Sequence, residues 1–486
     1  MRMALSFLLI AFLIFFMPVP AGSQGTATQV ETPPPPAGVF NLTLQQTKAY
    51  SKSLNFEVVG HNYFKVEWRT PYAKLVGLGS GFNTPRVYDG IAYLGGYAGP
   101  PTLYGVIVAD VHDPENIKPL AFIPCNAGAR CPYVRVNTKR QILVGTHDTN
   151  TDNPVQPPAG QAVRAGVSFT DVSDPGNPKP LGFLLTRENG ATHGFEIDDR
   201  YVYACANMPQ SKTGVTGANQ ELVIVDYSDA RNPKLVSTLH IKGQHVGEDF
   251  DPQDQRNPDG SQQKLWCHEI NLHKGRLYIA WRDAGLVIVD VADPANPKII
   301  SRLDYVPPYN GGGLGAAHTS APVIVDPDKH PTLVVHTDEI FDCPPGFGRI
   351  IDISDLNNPH VIATYRVPYL SDTYDYSAGK FSCPTGQQSI HQPWFDYRSP
   401  SLFYQTWYDQ GVRAWDISNP FAPREVGYYL APRYAVPGRP ADRQIREVYQ
   451  DPATGLIYMT DGNGGGLTVL RWTGPVPSKP PIPGAR

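Results

Sequence analysis

The sequence lacks several features that define large classes of proteins. Its formal net charge is −4, with 41 Lys and Arg against 45 Asp and Glu. Without an excess of positive charge, neither nucleic acid nor an anionic membrane surface is indicated as a partner. No Gly-x-Ser-x-Gly segment occurs, so a hydrolase built on a nucleophile elbow is not indicated either. Beyond the first residues, no apolar run reaches the roughly 20 residues that a membrane span requires.

The first 21 residues have the pattern of a secretory signal peptide. Arg2 precedes an apolar run over residues 4–17, and small residues follow at 19–21, which predicts cleavage near Ala21. A single membrane anchor is disfavoured because the apolar run is too short to span a bilayer. We therefore predict an exported protein, periplasmic or secreted, with no membrane span after cleavage. The sequence leaves the oligomeric state open.

Six cysteines in an exported chain are expected to form disulfides. The preferred pairing is Cys125–Cys131, Cys205–Cys267 and Cys343–Cys383, and other pairings remain open. After the signal peptide, residues 22–70 are predicted to form a Pro-rich extension. Its segment TPPPPAG (32–38) is stiff and has no core of its own.

One phrase recurs through most of the chain. An apolar run ends in Asp, a turn rich in Pro and Asn follows, and a second apolar run begins, as in AGLVIVDVADPANPKIISRL at 284–303. Copies recur at a period of about 60 residues. Their terminal acids are Asp110, Asp171, Asp226, Asp290, Asp352 and Asp416. A degenerate copy at 465–474 has Arg471 in the Asp position. The Asp is expected to cap the turn between two strands, so we interpret the phrase as scaffold.

Each period contains four predicted strands separated by turn residues, in a chain rich in Pro, Gly and Tyr. Four antiparallel strands repeated seven times predict an all-β, seven-bladed β-propeller over 71–475, followed by a tail at 476–486. The seventh copy stops after its third strand. Because YAKLVGLGS (72–80) resembles the fourth strand PKLVSTL (233–239), we predict that this N-terminal strand closes the last blade.

The repeated phrase resembles the LVIVD-repeat family of exported bacterial β-propeller proteins. The resemblance extends over residues 100–475, nearly the whole predicted mature chain. It implies a propeller, but it implies little about chemistry because propellers host unrelated functions.

Histidine marks one structural position in four consecutive predicted blades, at the start of the innermost strand. These residues are His193, His268, His318 and His391. We expect their imidazoles to ring the mouth of the central channel, with His147 as a fifth neighbour. The loops predicted on this rim are long and those on the other rim are short, which indicates a site on one face. The other histidines, including His240 and His245, are expected to be ordinary polar residues.

Converging neutral imidazoles predict one transition-metal ion. A set of histidines with few carboxylates favours Fe or Cu, with Mn or Zn as alternatives. Glu269, Glu339 and Glu447 are expected to orient ring N–H groups from outside the ligand set. The candidates for substrate binding and acid–base catalysis are Arg282, Arg446, Tyr408 and His336.

Three functions remain open. The first is an oxidoreductase acting on a small organic substrate, because the arrangement is similar to that of carotenoid-cleaving oxygenases, in which four histidines from separate blades hold ferrous iron. The second is a lyase acting on uronic-acid oligosaccharides, because QSIHQPWF (388–395) resembles the Gln-x-x-His segment of oligogalacturonate lyases at Gln388 and His391. The third is a binding or surface scaffold without chemistry. The selenium-binding-protein/methanethiol-oxidase family shares similar phrasing, but its His-Cys motif has no counterpart here.

Overall fold

The computed structural model describes most of the chain. The described residues are 32, 42–64, 67–69, 74–76, 81–98, 104–149, 156–212, 219–250, 263–304, 316–341, 345–367, 374–375, 380–381, 388–433 and 442–481. They contain an α-helix, Leu44–Tyr50, and a 3-10 helix, Pro114–Asn116. None of the described helices is long and apolar enough to cross a membrane.

The predicted seven-bladed β-propeller is confirmed, and its antiparallel blades are numbered 1 to 7 from the strand at 81–88 onwards. The strands of blades 1 to 4 are Gly81–Tyr88, Ile91–Ala98, Gly105–Asp110 and Lys118–Pro124; Val134–Asn137, Ile142–Thr149, Arg164–Asp171 and Lys179–Glu188; Thr192–Ile197, Tyr201–Ala206, Glu221–Asp226 and Lys234–Leu239; and Glu269–His273, Arg276–Ala280, Leu286–Asp290 and Lys298–Leu303. The strands of blades 5 to 7 are Ala317–Pro322, Leu333–Asp338, Gly348–Asp352 and His360–Tyr365; Pro393–Asp396, Ser399–Trp407, Gly411–Asp416 and Arg424–Leu430; and Ile445–Gln450, Ile457–Asp461, Gly466–Trp472 and Phe56–Asn62.

A few short strands lie outside this pattern. Lys52–Leu54 adds a fifth strand to the outer edge of blade 6. Ala129–Arg130 pairs with the end of Ile142–Thr149. Two separate hairpins are Glu67–Arg69 with Lys74–Val76, and Tyr374–Asp375 with Lys380–Phe381.

The apolar run of each repeat is explained by burial on both faces of its strand. In blade 4, Val287 and Val289 pack against blade 3, whereas Leu286 and Ile288 pack against blade 5. A strand that is covered on both faces reads as a continuous apolar run and not as an alternating one. Equivalent apolar clusters fill the seven interfaces between neighbouring blades and close the ring.

The predicted scaffold role of the repeated Asp is also supported. In blade 4, Asp290 Oδ1 accepts a hydrogen bond of 2.9 Å from the backbone N–H of Ala292, two residues on. The same bond recurs in the other five complete copies, with lengths of 2.8 to 3.0 Å. These side chains form Asx turns that lead the third strand of the blade into the fourth.

The last blade is closed by an N-terminal strand, but the strand is not the predicted one. Phe56–Asn62, within the segment predicted as an extension, pairs with Gly466–Trp472. Lys74–Val76, from the predicted segment 72–80, instead forms a hairpin with Glu67–Arg69. Gly60 on the closing strand faces blade 1 so closely that a Cβ atom would lie 2.2 Å from the carbonyl oxygen of Pro114.

Two of the three predicted disulfides are present. Cys125 pairs with Cys131 within one connection, and Cys205 of blade 3 pairs with Cys267 at the entry to blade 4. The third predicted pair, Cys343–Cys383, lies outside the described residues.

Candidate functional site

The four predicted histidines lie side by side where the first strands of blades 3 to 6 begin. Their ring centroids are 4.7 Å apart between His193 and His268, 4.3 Å between His268 and His318, and 3.9 Å between His318 and His391. First strands of neighbouring blades contact each other around the channel, which places equivalent residues next to one another. The imidazoles therefore form a continuous row.

This row lines a cavity of about 230 Å³. Predicted residues Arg282 and Arg446 also line it. Most of the remaining lining is polar or aromatic, and it consists of Asn83, Tyr97, Arg130, Tyr133, Asp148, Thr149, Ala191, Gln220, Trp266, Glu339 and Phe341. The cavity thus brings together side chains from every blade of the propeller.

Two of the imidazoles are held through Nδ1. The Nδ1 atom of His268 lies 3.3 Å from the carbonyl oxygen of His318, and Nδ1 of His318 lies 2.7 Å from Thr319 Oγ1. Metal-binding histidines characteristically use one ring nitrogen for such an orienting contact and the other for the ion. This arrangement leaves Nε2 of both rings available for a ligand.

His193 differs from its neighbours in the row. Its Nδ1 atom lies 2.6 Å from Asp148 Oδ2, and its Nε2 atom lies 3.3 Å from the Tyr133 hydroxyl. Both ring nitrogens therefore already have protein partners. An imidazole between a carboxylate and a hydroxyl is suited to proton transfer as well as to metal binding.

Glu339 is the carboxylate beside His318 and His391 at the other end of the row from Asp148. Arg282 Nη2 donates a hydrogen bond of 3.0 Å to its Oε2 atom, and the Tyr408 hydroxyl donates to Oε1. Nε2 of His318 and Nε2 of His391 lie 3.8 and 3.9 Å from its oxygens. Glu339 therefore faces the imidazoles directly. The sequence-based prediction that it orients their ring N–H groups from outside the ligand set is not met.

One subset of these side chains has the spacing of a metal site. His268, His318 and Glu339 each offer one ligand atom, and these three atoms lie within 4.8 Å of one another. All three residues are buried. The set of donors is therefore two imidazoles and a carboxylate, with His391 beside it, whereas the sequence predicted histidines alone.

The charge states suit a cation. Burial, together with Arg282 and the neighbouring imidazoles, holds the pKa of His268 and His318 well below the usual value, and burial lowers the pKa of His391 to about 3. Burial alone would raise the pKa of Glu339, but Arg282 and the hydrogen bond from Tyr408 outweigh it and keep the pKa below its ordinary value. At neutral pH the imidazoles of His268, His318 and His391 are neutral and the carboxylate of Glu339 is ionised, as metal ligands must be.

Arginines face the cavity from two sides. The Arg282 guanidinium lies over Trp266 at 5.1 Å, and Arg446 and Arg130 lie over Tyr97 at 3.9 and 4.5 Å. Burial alone would raise the pKa of Tyr97, but the two arginines lower it. Nε and Nη1 of Arg282 and Nε of Arg446 are buried without a hydrogen-bond partner among the described residues. Such N–H groups can bind an anion.

Tyr408 does not fit its predicted role as an acid or base. Arg446 Nη1 donates a hydrogen bond of 2.9 Å to the Tyr408 hydroxyl, which in turn donates to Glu339. Burial is the main cause that raises the pKa of Tyr408 well above its usual value. Its contacts indicate that it positions Glu339.

Two predicted histidines lie away from the cavity. Nδ1 of His147 accepts from the backbone N–H of Asn126, and its Nε2 lies 3.0 Å from Ser168 Oγ. Nδ1 of His336 lies 2.8 Å from Ser320 Oγ. Neither lines the cavity with the other four. Asp148, next to His147, and Glu339, three residues after His336, line the cavity instead. Both are an odd number of residues away from the histidine, and successive side chains on a strand point to opposite faces.

Glu269 and Glu447 were expected to orient imidazoles. Glu447 instead accepts hydrogen bonds from Asn83 and Thr84 and lies 3.2 Å from Arg86. Burial and the nearby Glu447 raise the pKa of Glu269 to about 8. Asp148, Tyr133 and Tyr97 were not predicted, although Asp148 follows His147 directly and alternation along the strand could have identified it.

The family model for the LVIVD repeat matches residues 215–240 and 269–304. The chain contains LVIVD repeats. No curated protein shows significant sequence similarity to it. Among solved structures, a COPII outer coat vertex chain on membranes is similar with a TM-score of 0.51 at 11% identity, covering 83% of this chain and 88% of that chain. The β-propeller domain of Myceliophteria thermophila Cps50 (Swd1) gives a TM-score of 0.47 at 10% identity, covering 82% of this chain and 97% of that domain. At 11% identity the likeness to the COPII chain concerns the fold alone.

Proposed function

We propose that this LVIVD-repeat propeller is an exported metal-dependent oxidoreductase that acts on a small anionic organic substrate. The observation that carries the proposal is the grouping of His268, His318 and Glu339 within 4.8 Å of one another in a buried cavity. Two imidazoles and one carboxylate with open positions are typical of non-haem iron sites, and the same donors also suit Zn²⁺. The two disulfides support an oxidising compartment.

The ion would bind Nε2 of His268 and His318 and an oxygen of Glu339, with His391 as a further donor. Its chemistry would be that of a redox centre or Lewis acid open to the cavity. Glu339 is kept in place by Arg282 and Tyr408, so these two residues position a ligand. Removing either would shift the carboxylate relative to both imidazoles.

The substrate class follows from the arginines. Arg282 and Arg446 line the cavity, and each has buried N–H groups without an acceptor among the described residues. A carboxylate or enolate oxygen of the substrate would complete these hydrogen bonds. His193, held by Asp148, would accept or donate a proton at Nε2.

The test is elemental analysis by mass spectrometry of tag-free protein, comparing the wild type with His268→Ala/His318→Ala. We expect about one equivalent of Fe or Cu in the wild type and its loss in the variant, with near-ultraviolet circular dichroism unchanged. The matched control is His147→Ala/His336→Ala, which removes two buried histidines outside the cavity and should keep the ion. Spin resonance of the loaded protein then distinguishes a redox metal from redox-silent zinc.

Two outcomes would overturn the proposal. If the wild type takes up no transition metal at the cavity even after reconstitution, the protein is a binding scaffold. If the ion survives in His268→Ala/His318→Ala, its site lies elsewhere. A uronate lyase receives no support from Gln388, because its side-chain amide donates to Asp409 and the residue does not line the cavity.

A further inference from the structure

A second group of histidines and acids lies apart from the cavity, on blade 3. One ligand atom each from Glu221, His240 and His245 lie within 4.8 Å of one another, and we call these residues the lateral cluster. Glu221 begins the third strand of blade 3, and both histidines follow its fourth strand. The lateral cluster shares no residue with the group of His268, His318 and Glu339.

We propose that the lateral cluster binds a divalent transition-metal ion of the zinc type, independently of the cavity. The Nε2 atom of His245 lies 3.0 Å from Oε1 of Glu221. Two donors about 2.0–2.1 Å from Zn²⁺ at tetrahedral angles lie roughly 3.3 Å apart. The pair is therefore already at nearly the separation that two ligands of one ion require.

The buried carboxylate has an incomplete set of partners. Glu221 is fully buried, and its Oε1 atom accepts hydrogen bonds from Ser211 and His245. Its other oxygen, Oε2, is buried without a hydrogen-bond partner among the described residues. Burying an ionised oxygen without a partner costs free energy, and a bound cation removes that cost.

The two imidazoles are arranged for an ion that enters from the surface. Their ring centroids lie 3.6 Å apart with the planes only 18° from parallel. Nε2 of His240 lies 2.9 Å from Oε1 of Glu248, a carboxylate in the position of an orienting partner. The side chain of His240 is 28% exposed and that of His245 is 17% exposed, so solvent reaches the histidine side of the cluster.

The loop that carries both histidines is anchored without any metal. The side chain of Gln244 accepts from the N–H of Ile241 and donates to the carbonyl oxygens of Gln220 and Leu265. The backbone of His245 also forms an isolated antiparallel β-bridge with Ser211 of the neighbouring loop. A bound ion would join these two loops next to Gln220, which lines the cavity. We infer a structural ion that stabilises one side of the cavity.

The experiment isolates the lateral cluster in a chain that lacks the cavity ligands. Full-length protein with His268→Ala/His318→Ala is stripped of metal and titrated with Zn²⁺ against a chromophoric chelator. We expect about one equivalent of tightly bound Zn²⁺. Adding His240→Ala/His245→Ala should abolish it. Adding His112→Ala should not, although His112 also contacts a carboxylate, Asp110, at 2.8 Å.

Two milder variants keep the proposal testable if the alanine variant fails to fold. Glu221→Gln keeps an acceptor for Ser211 and His245 but removes the charge, and it should weaken Zn²⁺ binding at least tenfold. Glu248→Gln acts on the orienting contact and should weaken binding by about 10- to 100-fold. The proposal is overturned if Zn²⁺ binding is the same with and without His240 and His245, or if the parent variant binds none. Failure of the cavity proposal gives a different result. The wild type and the His268→Ala/His318→Ala variant would then bind equal amounts of metal per chain.

Discussion

Blade 4 and blade 7 have the same architecture but obtain their outer strand in different ways. Blade 4 takes all four strands from residues 269–303, whereas blade 7 takes its outer strand from Phe56–Asn62. In blade 4, Asp290 on the third strand faces Lys298 on the fourth. In blade 7 the charges are reversed, with Arg471 on the third strand facing Glu57 on the fourth.

This difference shows what the repeated Asp does. In the six blades that continue directly into their fourth strand, the Asp side chain caps the connecting turn. Blade 7 has no such turn to cap, and the Asp is absent there. An ion pair of 2.6 Å between Arg471 and Glu57 takes its place at the junction. The comparison indicates that the repeated Asp is present to cap the turn, and that an ion pair between the third and fourth strands does not require it.

The largest expected effect concerns the burial of the closing strand. Phe56 is 5% exposed and packs against Trp472 and Tyr404, whereas Ile299 on the outer strand of blade 4 is 40% exposed. Phe56→Ala should lower the free energy of unfolding by about 4 kcal/mol, as is usual for a buried Phe. Ile299→Ala should cost about 1 kcal/mol or less. Urea unfolding of both variants checks the difference, and equal losses would mean that the two outer strands are packed alike.

The second effect concerns covalent attachment. Blade 4 is joined to blade 3 by Cys205–Cys267, a bridge between residues 62 apart in sequence. Replacing both cysteines by Ala should lower the free energy of unfolding by about 3 kcal/mol, because the bridge restricts a long loop of the unfolded chain. The control is Cys125→Ala/Cys131→Ala, which opens a bridge across only 6 residues and should cost less. A larger loss in the control would contradict the loop-length explanation.

The third effect is a pH dependence of the closing strand. His61 is buried beside Thr468, and burial lowers its pKa to about 4. Below pH 6.5 the unfolded chain binds a proton at His61 that the folded chain does not, so stability decreases as the pH falls towards 4. Between pH 6.5 and 5 this amounts to about 1.5 kcal/mol. His61→Gln should remove that part of the acid sensitivity in thermal melts, and an unchanged slope would mean that other groups cause it.

The smallest effects concern the two charge pairs. Asp290→Ala removes a turn-capping bond and should cost about 1 kcal/mol. Arg471→Ala breaks a pair in which both side chains are about half exposed, 52% and 50%, and should cost about 0.5 kcal/mol or less. Thermal melts at low and high salt check both, because only the exposed ion pair should depend on salt. If both variants lose the same free energy of unfolding, the turn-capping bond and the exposed ion pair contribute equally and the distinction between them is wrong.

The sequence was sufficient for the propeller because its period, its apolar runs and its turn residues all agree. It was not sufficient for the closing strand. A strand at 72–80 would run directly into the first strand of blade 1, Gly81–Tyr88, and would leave no residues to cross the blade. An outer strand lies about 14 Å from an inner one across three strand spacings. The observed closing strand ends at Asn62 and leaves that connection room.

The position of the four histidines followed from alignment of the repeats, and the structure places all of them in one cavity. The alignment did not show which residue at the end of a strand faces the cavity, because a shift of one residue moves a side chain to the opposite face of the strand. Asp148 lines the cavity where His147 was expected. Glu339 joins the imidazoles through contacts with Arg282 and Tyr408 from two other blades, and a single repeat carries no signal for such contacts.

The N-terminal segment bonds to two neighbouring blades, since Lys52–Leu54 extends blade 6 and Phe56–Asn62 completes blade 7. During synthesis these residues leave the ribosome well before their partners Tyr428–Leu430 and Leu467–Trp472. The closing strand must therefore wait, unpaired, until blades 1 to 6 and the first three strands of blade 7 have been made. Contacts between such distant residues form slowly, so ring closure is expected to be the final and rate-limiting event in folding.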